Sequence, residues 1–309
     1  MITCVSLNPS IDRTLTVSGF QPGELNRVNA RSDVAAGKGI NVAITAARLG
    51  VETECIGFMY KDSAPLFEKR LIANGTTYDF VMCEGSARVN IKVFDTKCGV
   101  VTELNESGIG VTETQIHEMT GLLARHAENS DYIILSGSLP PGCPADYYKT
   151  LIDEVKGLDC RVILDADGER LMTGIEAAPF LIKPNRFEME TLIGEKLNTL
   201  EDVKNAALRF IDCGVQVVVV TLGAQGSLIT NGSHTLFASG LKLDVKSTVG
   251  AGDAMAAGLA AGFMGEATME ETFRMGVAMA SARCATDAKK AVDKQLYKDM
   301  LGLIEIHEL

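Results

Sequence analysis

From about residue 112 onward the chain alternates helical and strand-like segments with a regularity that few folds accommodate. A helical pattern over 112–128 precedes an apolar run at 131–135 that ends in Ser136-Gly137-Ser138-Leu139-Pro140-Pro141-Gly142. Helix 145–156 precedes strand 161–165, which ends in Asp165-Ala166-Asp167-Gly168. Strand 179–183 ends in Lys183-Pro184-Asn185 and leads to helix 186–193. Helix 200–212 then delivers Val215–Thr221, a nearly unbroken valine run that suits a parallel strand covered on both faces and closes in Leu222-Gly223-Ala224-Gln225-Gly226. Alternation of this kind builds a parallel sheet between helical layers, and the C-terminal ends of its strands share one edge. Polar and glycine-rich residues collect on that edge each time. The expectation is an α/β fold of three αβα layers with a mostly parallel central sheet.

The first third is less regular. Residues 2–7 read as a buried strand ending at Asn8-Pro9-Ser10-Ile11-Asp12-Arg13, which places Asp12 just past a strand end, either as a ligand group or as a turn residue bonded to its own backbone. Residues 14–34 look like short exposed strands. A helix runs from Ile40 to a stop at Gly50, Thr53–Phe58 reads as a strand, and 63–74 as a helix. The runs 77–82, 87–95 and 99–104 stand beside no long helix, so they are expected to pair with 14–34 as a small separate sheet. Helices near 268–286 and 292–306 close the layer. No repeat or linker divides the 309 residues, and one domain over 1–309 is expected.

Composition excludes several classes of function. The net charge of −11 argues against a nucleic-acid or membrane-surface partner, and no apolar run approaches a membrane span. The N-terminus enters a strand without a basic leader, which sets the expectation of a cytoplasmic protein. Eight scattered cysteines without a CxxC pair read as buried, reduced thiols rather than a zinc or disulfide framework. Four histidines lie apart in polar segments and suggest no catalytic triad.

Two glycine turns carry the chemistry. In Ser247-Thr248-Val249-Gly250-Ala251-Gly252-Asp253 the glycines let N–H groups converge at a helix start, an attractive place for a phosphoryl group. Asp253 then reads either as a base beside that anion or as the helix N-cap. Ala35-Ala36-Gly37-Lys38-Gly39-Ile40-Asn41-Val42-Ala43 can cradle a second anion, although it has neither P-loop nor GxGxxG spacing. Taken singly, Lys38 and Arg88 equally suit a solvated lysine and an exposed strand arginine.

Together these segments resemble the ribokinase-like (PfkB) family of carbohydrate kinases over essentially the whole chain. Lys183-Pro184-Asn185-Arg186-Phe187-Glu188, Thr221 through Gly226 and Ser136 through Pro140 match in order between the two glycine signatures. The resemblance implies that Asp253 deprotonates the acceptor hydroxyl and that the N–H groups of Gly250, Ala251 and Gly252 form the anion hole. It implies a nucleotide loop at Thr221, Gly223 and Gly226, with Lys183 and Asn185 near the ATP phosphates and Glu188 orienting Mg²⁺. Asp12, Gly37, Gly39, Asn41 and Ser138 would hold the sugar. The small sheet, from about 13–34 and 87–105, would be a lid that pairs with a second copy, implying a homodimer.

A phosphorylated sugar needs cations to match its charge, and Lys38, Arg88 and Arg27 are the candidates. The Gly37–Ala43 and Arg88–Lys92 forms are similar to those of 1-phosphofructokinases, which implies ATP-dependent conversion of fructose 1-phosphate to fructose 1,6-bisphosphate. Tagatose-6-phosphate kinases and 6-phosphofructokinases share most of these residues. A non-catalytic phosphosugar-binding sensor is the alternative from another class, and the base Asp253 argues against it. One departure stands out: Cys284 through Ala291 lacks the Asn- or Gly-containing turn with which many relatives help to hold a monovalent cation.

Overall fold

The computed structural model describes residues 1–287 and 290–309. β1 (Ile2–Ser6) is followed by β2 (Ser10–Val17), β3 (Ala30–Ala36), α1 (Lys38–Arg48), β4 (Thr53–Tyr60), α2 (Ala64–Ile72) and β5 (Thr77–Cys83). Next come β6 (Arg88–Asp95), β7 (Val100–Asn105), α3 (Glu113–Ala127), β8 (Tyr132–Ser136), α4 (Tyr147–Glu154), β9 (Arg161–Asp165), α5 (Gly168–Ile175) and β10 (Leu181–Ile182). α6 (Arg186–Ile193), α7 (Leu200–Asp212) and β11 (Val217–Thr221) lead through a single 3₁₀ turn to the hairpin β12 (Gly226–Thr230) and β13 (Thr235–Ser239). α8 (Ala251–Met264), α9 (Met269–Cys284), α10 (Lys294–Leu303) and β14 (Ile306–Glu308) complete the described elements.

The main sheet runs in the order β14-β13-β12-β11-β10-β9-β8-β1-β4-β5. From β5 to β11 every neighbour is parallel, and β12, β13 and β14 are antiparallel additions at one edge. The chain leaves β1 toward β4 and β5 on one side, then toward β8 to β11 on the other. That reversal opens a crevice at the strand C-terminal ends between β1 and β8, the usual ligand position of such sheets. The Asn231-Gly232 pair makes the β12–β13 turn, a hairpin signal the helix–strand alternation overshadowed.

A second sheet has the order β3-β2-β6-β7. Two expectations are corrected by it. Residues 77–83 are not part of it: α2 returns the chain to pair β5 in parallel with β4, burying Val81 and Cys83. Asp12 does not sit in a loop beyond β1 but inside β2, opposite Val34 of β3 and Asn90 of β6. The three residues after Ser6 are too few for a long loop, so the chain enters the small sheet directly.

α8 is buried along most of its length, and its small residues determine how deeply it sits. A Cβ on Gly258 would lie 2.7 Å from Met275 O, and one on Gly262 would lie 2.8 Å from Thr272 Cα. α9 therefore packs against α8 at backbone distance, holding the α8 N-terminus at the crevice. The cysteines are unpaired, but only Cys4, Cys55 and Cys83 are buried, while Cys98 and Cys213 are exposed on a sheet turn and a helix end.

Candidate active site

Gly250, in the left-handed region at φ 78°, is the N-cap of α8, and no side chain caps that helix. Asp253 is thus the third helical residue and not the cap. Among the described residues the N–H groups of Gly250 and Gly252 have no intramolecular acceptor, whereas Ala251 N–H donates to Thr248 O at 3.2 Å. The expected anion hole therefore has two uncommitted donors, with Ala251 already used by the turn.

Asp253 is only 6% exposed, and its Oδ2 accepts a hydrogen bond from Asn41 Nδ2 at 3.0 Å. Asn41 Oδ1 accepts from Arg70 Nη1 at 3.2 Å, and Arg70 also donates to Ala35 O. Burial, with the negative charge of Asp165 adding to it, pushes the Asp253 carboxyl above its ordinary pKa; Lys38, the Asn41 bond and Lys183 oppose this.

Asp165, at the end of β9 and 3% exposed, organises the cations. Its Oδ1 lies 3.2 Å from Lys183 Nζ and 3.5 Å from Lys38 Nζ. Burial opposes its charge, yet the two ammonium groups hold its carboxyl below the ordinary value. The Lys38 ammonium is raised by Asp165 against burial, with Asp253 and Glu188 adding. Lys183, itself 5% exposed, reaches under the α8 turn, where a Cβ on Gly252 would lie 3.2 Å from its Nζ. The sequence reading grouped Lys38 with the sugar; the structure groups it with Asp165, Lys183 and Asp253.

Asn185 and Glu188 form a capping box at the start of α6. Glu188 N–H donates to Asn185 Oδ1 at 2.9 Å, and Asn185 N–H donates to Glu188 Oε2 at 2.8 Å. Burial, opposed by that second bond, pushes the Glu188 carboxyl up. Thr221 N–H donates to Pro184 O at 3.0 Å, which sets this loop beside the β11 end. Gly223 is open, but a Cβ on Gly226 would sit 2.0 Å from Ala238 O, so Gly226 serves the hairpin backbone. Gly39 likewise packs on β1, since its Cβ would be 2.4 Å from Val5 O, and Gly37 leads into α1 at φ 136° beside Pro9.

The remaining predicted residues divide between two cavities. Asp12, Asn41 and Gly250 line one of about 740 Å³ beneath the small sheet, together with Arg70, Lys92 and Arg283. Asp12 accepts from Lys92 Nζ at 2.9 Å and from Asn90 Nδ2 at 3.2 Å. Arg88 and Ser138 instead line a cavity of about 430 Å³ with Asn8 and Arg170. Arg88 donates to Asn8 O and Glu106 O, and Ser138 Oγ accepts from Asn8 Nδ2 at 3.1 Å. Arg27 is exposed on the loop between β2 and β3 and joins neither cavity. Sequence reasoning missed Asp165, Arg70, Arg170, Asn90 and Lys92. For Asn90 and Lys92 the signal was present, because strand periodicity puts them on one face with Arg88.

The pfkB family carbohydrate kinase model matches residues 2–290. The chain belongs to the pfkB family of carbohydrate kinases. The chain is 33% identical to the 1-phosphofructokinase of Vibrio cholerae over 91% of its own length and 88% of that protein's. It is 32% identical to the 1-phosphofructokinase of Escherichia coli K12, covering 99% and 97% of the two chains. Among solved structures, phosphofructokinase-2 from Escherichia coli in complex with potassium superposes with a TM-score of 0.92 at 26% identity, covering 98% of each chain. Membership makes the chain a phosphotransferase acting on a sugar, with ATP and Mg²⁺ as the general requirements of such kinases. No helix among the described residues is long and apolar enough to cross a membrane.

Proposed function

We propose that the chain transfers the γ-phosphoryl group of ATP to fructose 1-phosphate, giving fructose 1,6-bisphosphate, with Asp253 as the base. The observation that carries this reading is the buried Asp253 carboxylate in the first turn of α8, beside uncommitted N–H donors and the Lys38–Asp165–Lys183 cluster. Asp253 takes the proton of the acceptor hydroxyl as that oxygen forms its bond to the γ-phosphorus and the bond to ADP breaks. A carboxyl pushed upward is the stronger base. Gly250 and Gly252 N–H receive charge on the transferred group, and Lys38 and Lys183 stand where further negative charge develops. Asn185, Thr221 and Gly223 form the floor for the nucleotide.

Among the described residues no three carboxylate, His or Cys groups form a metal cluster, while Asp165 Oδ2 is buried without a hydrogen-bond partner. That donor set suits Mg²⁺, which is usually held by one or two carboxylates with phosphates and waters. Glu188 and Asp165 would face it. When bound, Mg²⁺ neutralises charge on the phosphates.

In this reading Asp12 and Asn41, from the larger cavity, hold acceptor hydroxyls, and Arg88, Arg170 and Ser138, from the smaller one, hold the sugar phosphate. The names of the curated relatives support fructose 1-phosphate, while phosphofructokinase-2 among the structures supports 6-phosphofructokinase as a second reading. A coupled ADP-release assay over fructose 1-phosphate, fructose 6-phosphate, tagatose 6-phosphate and free sugars decides between them. Highest kcat/KM on fructose 1-phosphate is expected, and ADP release on none would revive a non-catalytic sensor. Arg88→Met is expected to raise KM for the phosphosugar by about tenfold or more, as loss of a charged hydrogen bond requires. KM for ATP should hold, and an equal rise in both would refute the phosphate role.

The small sheet acts in this reading as a lid over the acceptor and as the dimer contact. β7 is exposed throughout, with Val100 and Leu104 at 55% and 57%. A second copy's sheet would cover them, so Leu104→Glu should convert a dimer to a monomer in sedimentation velocity. A monomeric wild type would remove the lid dimer.

A further inference from the structure

Arg283, in the last turn of α9, donates to four main-chain carbonyls drawn from two separate segments. Its Nε donates to Val249 O at 3.1 Å and its Nη1 to Lys290 O at 2.7 Å. Its Nη2 donates to Asp287 O at 3.1 Å and Thr286 O at 3.5 Å. Lys246 and Ser247 N–H add bonds to Cys284 O at 2.9 and 3.2 Å, so the strap before the α8 turn is fastened to the end of α9. Val249 immediately precedes Gly250. A Cβ on Gly250 would lie 3.9 Å from Arg283 Cδ and Nε, which puts the guanidinium directly behind the turn.

Carbonyl oxygens that converge on one point repel one another unless a cation lies among them, and rings of carbonyls are a common way to replace the hydration shell of potassium. Here the occupant is covalent. A guanidinium has five N–H donors in a fixed plane and stays charged at any working pH. Burial lowers the Arg283 pKa, with Cys284, Asp287 and Asp253 acting in the opposite direction. The carbonyls of Val249, Thr286, Asp287 and Lys290 thus already point at a cation, and a potassium ion at the same point would displace it. Ala288 and Lys289, which also belong to the glycine-free stretch, lie outside the described residues.

We propose that Arg283 is a positioning residue that supplies, from within the chain, the monovalent positive charge behind the Gly250–Asp253 turn, so that no potassium ion is bound or needed there. The proposal rests on the reading of that turn as the site of phosphoryl transfer. Arg283 fixes Val249 O and so orients the Gly250 and Gly252 N–H groups, and its charge offsets the anion arriving on their other side.

The test compares the full chain in potassium chloride and in tetramethylammonium chloride at equal ionic strength. For the wild type, melting temperature, ATP affinity and kcat are expected to be the same in both salts. Arg283→Ala is expected to lose about tenfold or more in kcat, the scale of a lost electrostatic contribution. Potassium or millimolar guanidinium should restore much of that loss, and potassium should raise the variant's melting temperature with the logarithm of its concentration, as binding to the native state requires. Arg283→Lys should keep most activity and remain indifferent to potassium. If Arg283→Ala does not fold, Arg283→Gln gives the same comparison. A wild type that binds or is activated by potassium over tetramethylammonium overturns the proposal, as does a variant that neither cation restores. The melting-temperature titration does not depend on Asp253 being the base, so a failed base assignment would show itself separately.

Discussion

Asp253→Asn is expected to lower kcat by about 10²–10⁴-fold, the ordinary contribution of a general base. KM for the phosphosugar should change little. The substitution is isosteric, and an amide oxygen at position 253 can still accept from Asn41 Nδ2, so the Arg70–Asn41 chain need not rearrange. Stability provides a second, independent readout. Burial and Asp165 raise the Asp253 pKa in the folded state, so ionising it costs folding free energy. That cost is absent below the unfolded pKa, grows as pH rises toward the folded pKa, and is complete above it. Removing the charge should therefore leave the variant at least as stable as the wild type at pH 8, with the difference shrinking toward acid. A merely structural aspartate would give the opposite, a destabilised variant with proportionate loss of activity. Turnover retained in a stable Asp253→Asn protein would sink the base assignment.

Much of this geometry was legible in the residues, and what was legible shared a physical cause. Strand C-termini of a parallel sheet meet at one edge whatever the packing details, so Asp165, Lys183 and Thr221 could be placed on that edge from alternation alone. The left-handed turn at Gly250 and the helix after it followed from local pattern. Pairing across the chain was less visible. β5 carries exposed residues on both faces, Thr77 and Asp79 on one and Met82 on the other, and only its place after α2 sends it to β4. Arg70 gives no local sign of reaching Asn41, because a helical arginine in the last turn of α2 usually meets solvent. Asp165 was visible at its strand end but looked like one polar terminus among several. Its importance comes from two lysines 145 residues apart in sequence, each brought to the same oxygen only by the completed sheet. The family resemblance likewise implied that Glu188 orients a metal without showing that its Oε2 closes the capping box at the start of α6.

Asp165→Asn should cost more than any single contact it makes. Lys183 is almost fully buried, and removing the charge between it and Lys38 strands an ammonium in the interior. Breaking a buried pair on one side costs about 3–5 kcal/mol. The pH dependence has a definite sign. The folded Asp165 pKa lies below its ordinary value, so the stabilisation is present above the unfolded pKa and disappears as pH falls through the folded one. The gap in melting temperature between wild type and variant should therefore be widest near neutrality and close in acid. Activity should respond in a second way. Burial and Asp165 are the two influences that raise the Asp253 pKa, and without Asp165 only burial opposes Lys38, the Asn41 bond and Lys183, so that pKa falls. The acid limb of the kcat–pH profile should move to lower pH in Asp165→Asn, even as kcat on the plateau falls because neither lysine is held at the transferred group. Adding Lys183→Met to Asp165→Asn removes the stranded charge, so the double variant should regain stability without regaining kcat. An acid limb that stays in place would mean that the charge at Asp165 does not reach the base, and the cluster would then be a structural tie beneath the α8 turn.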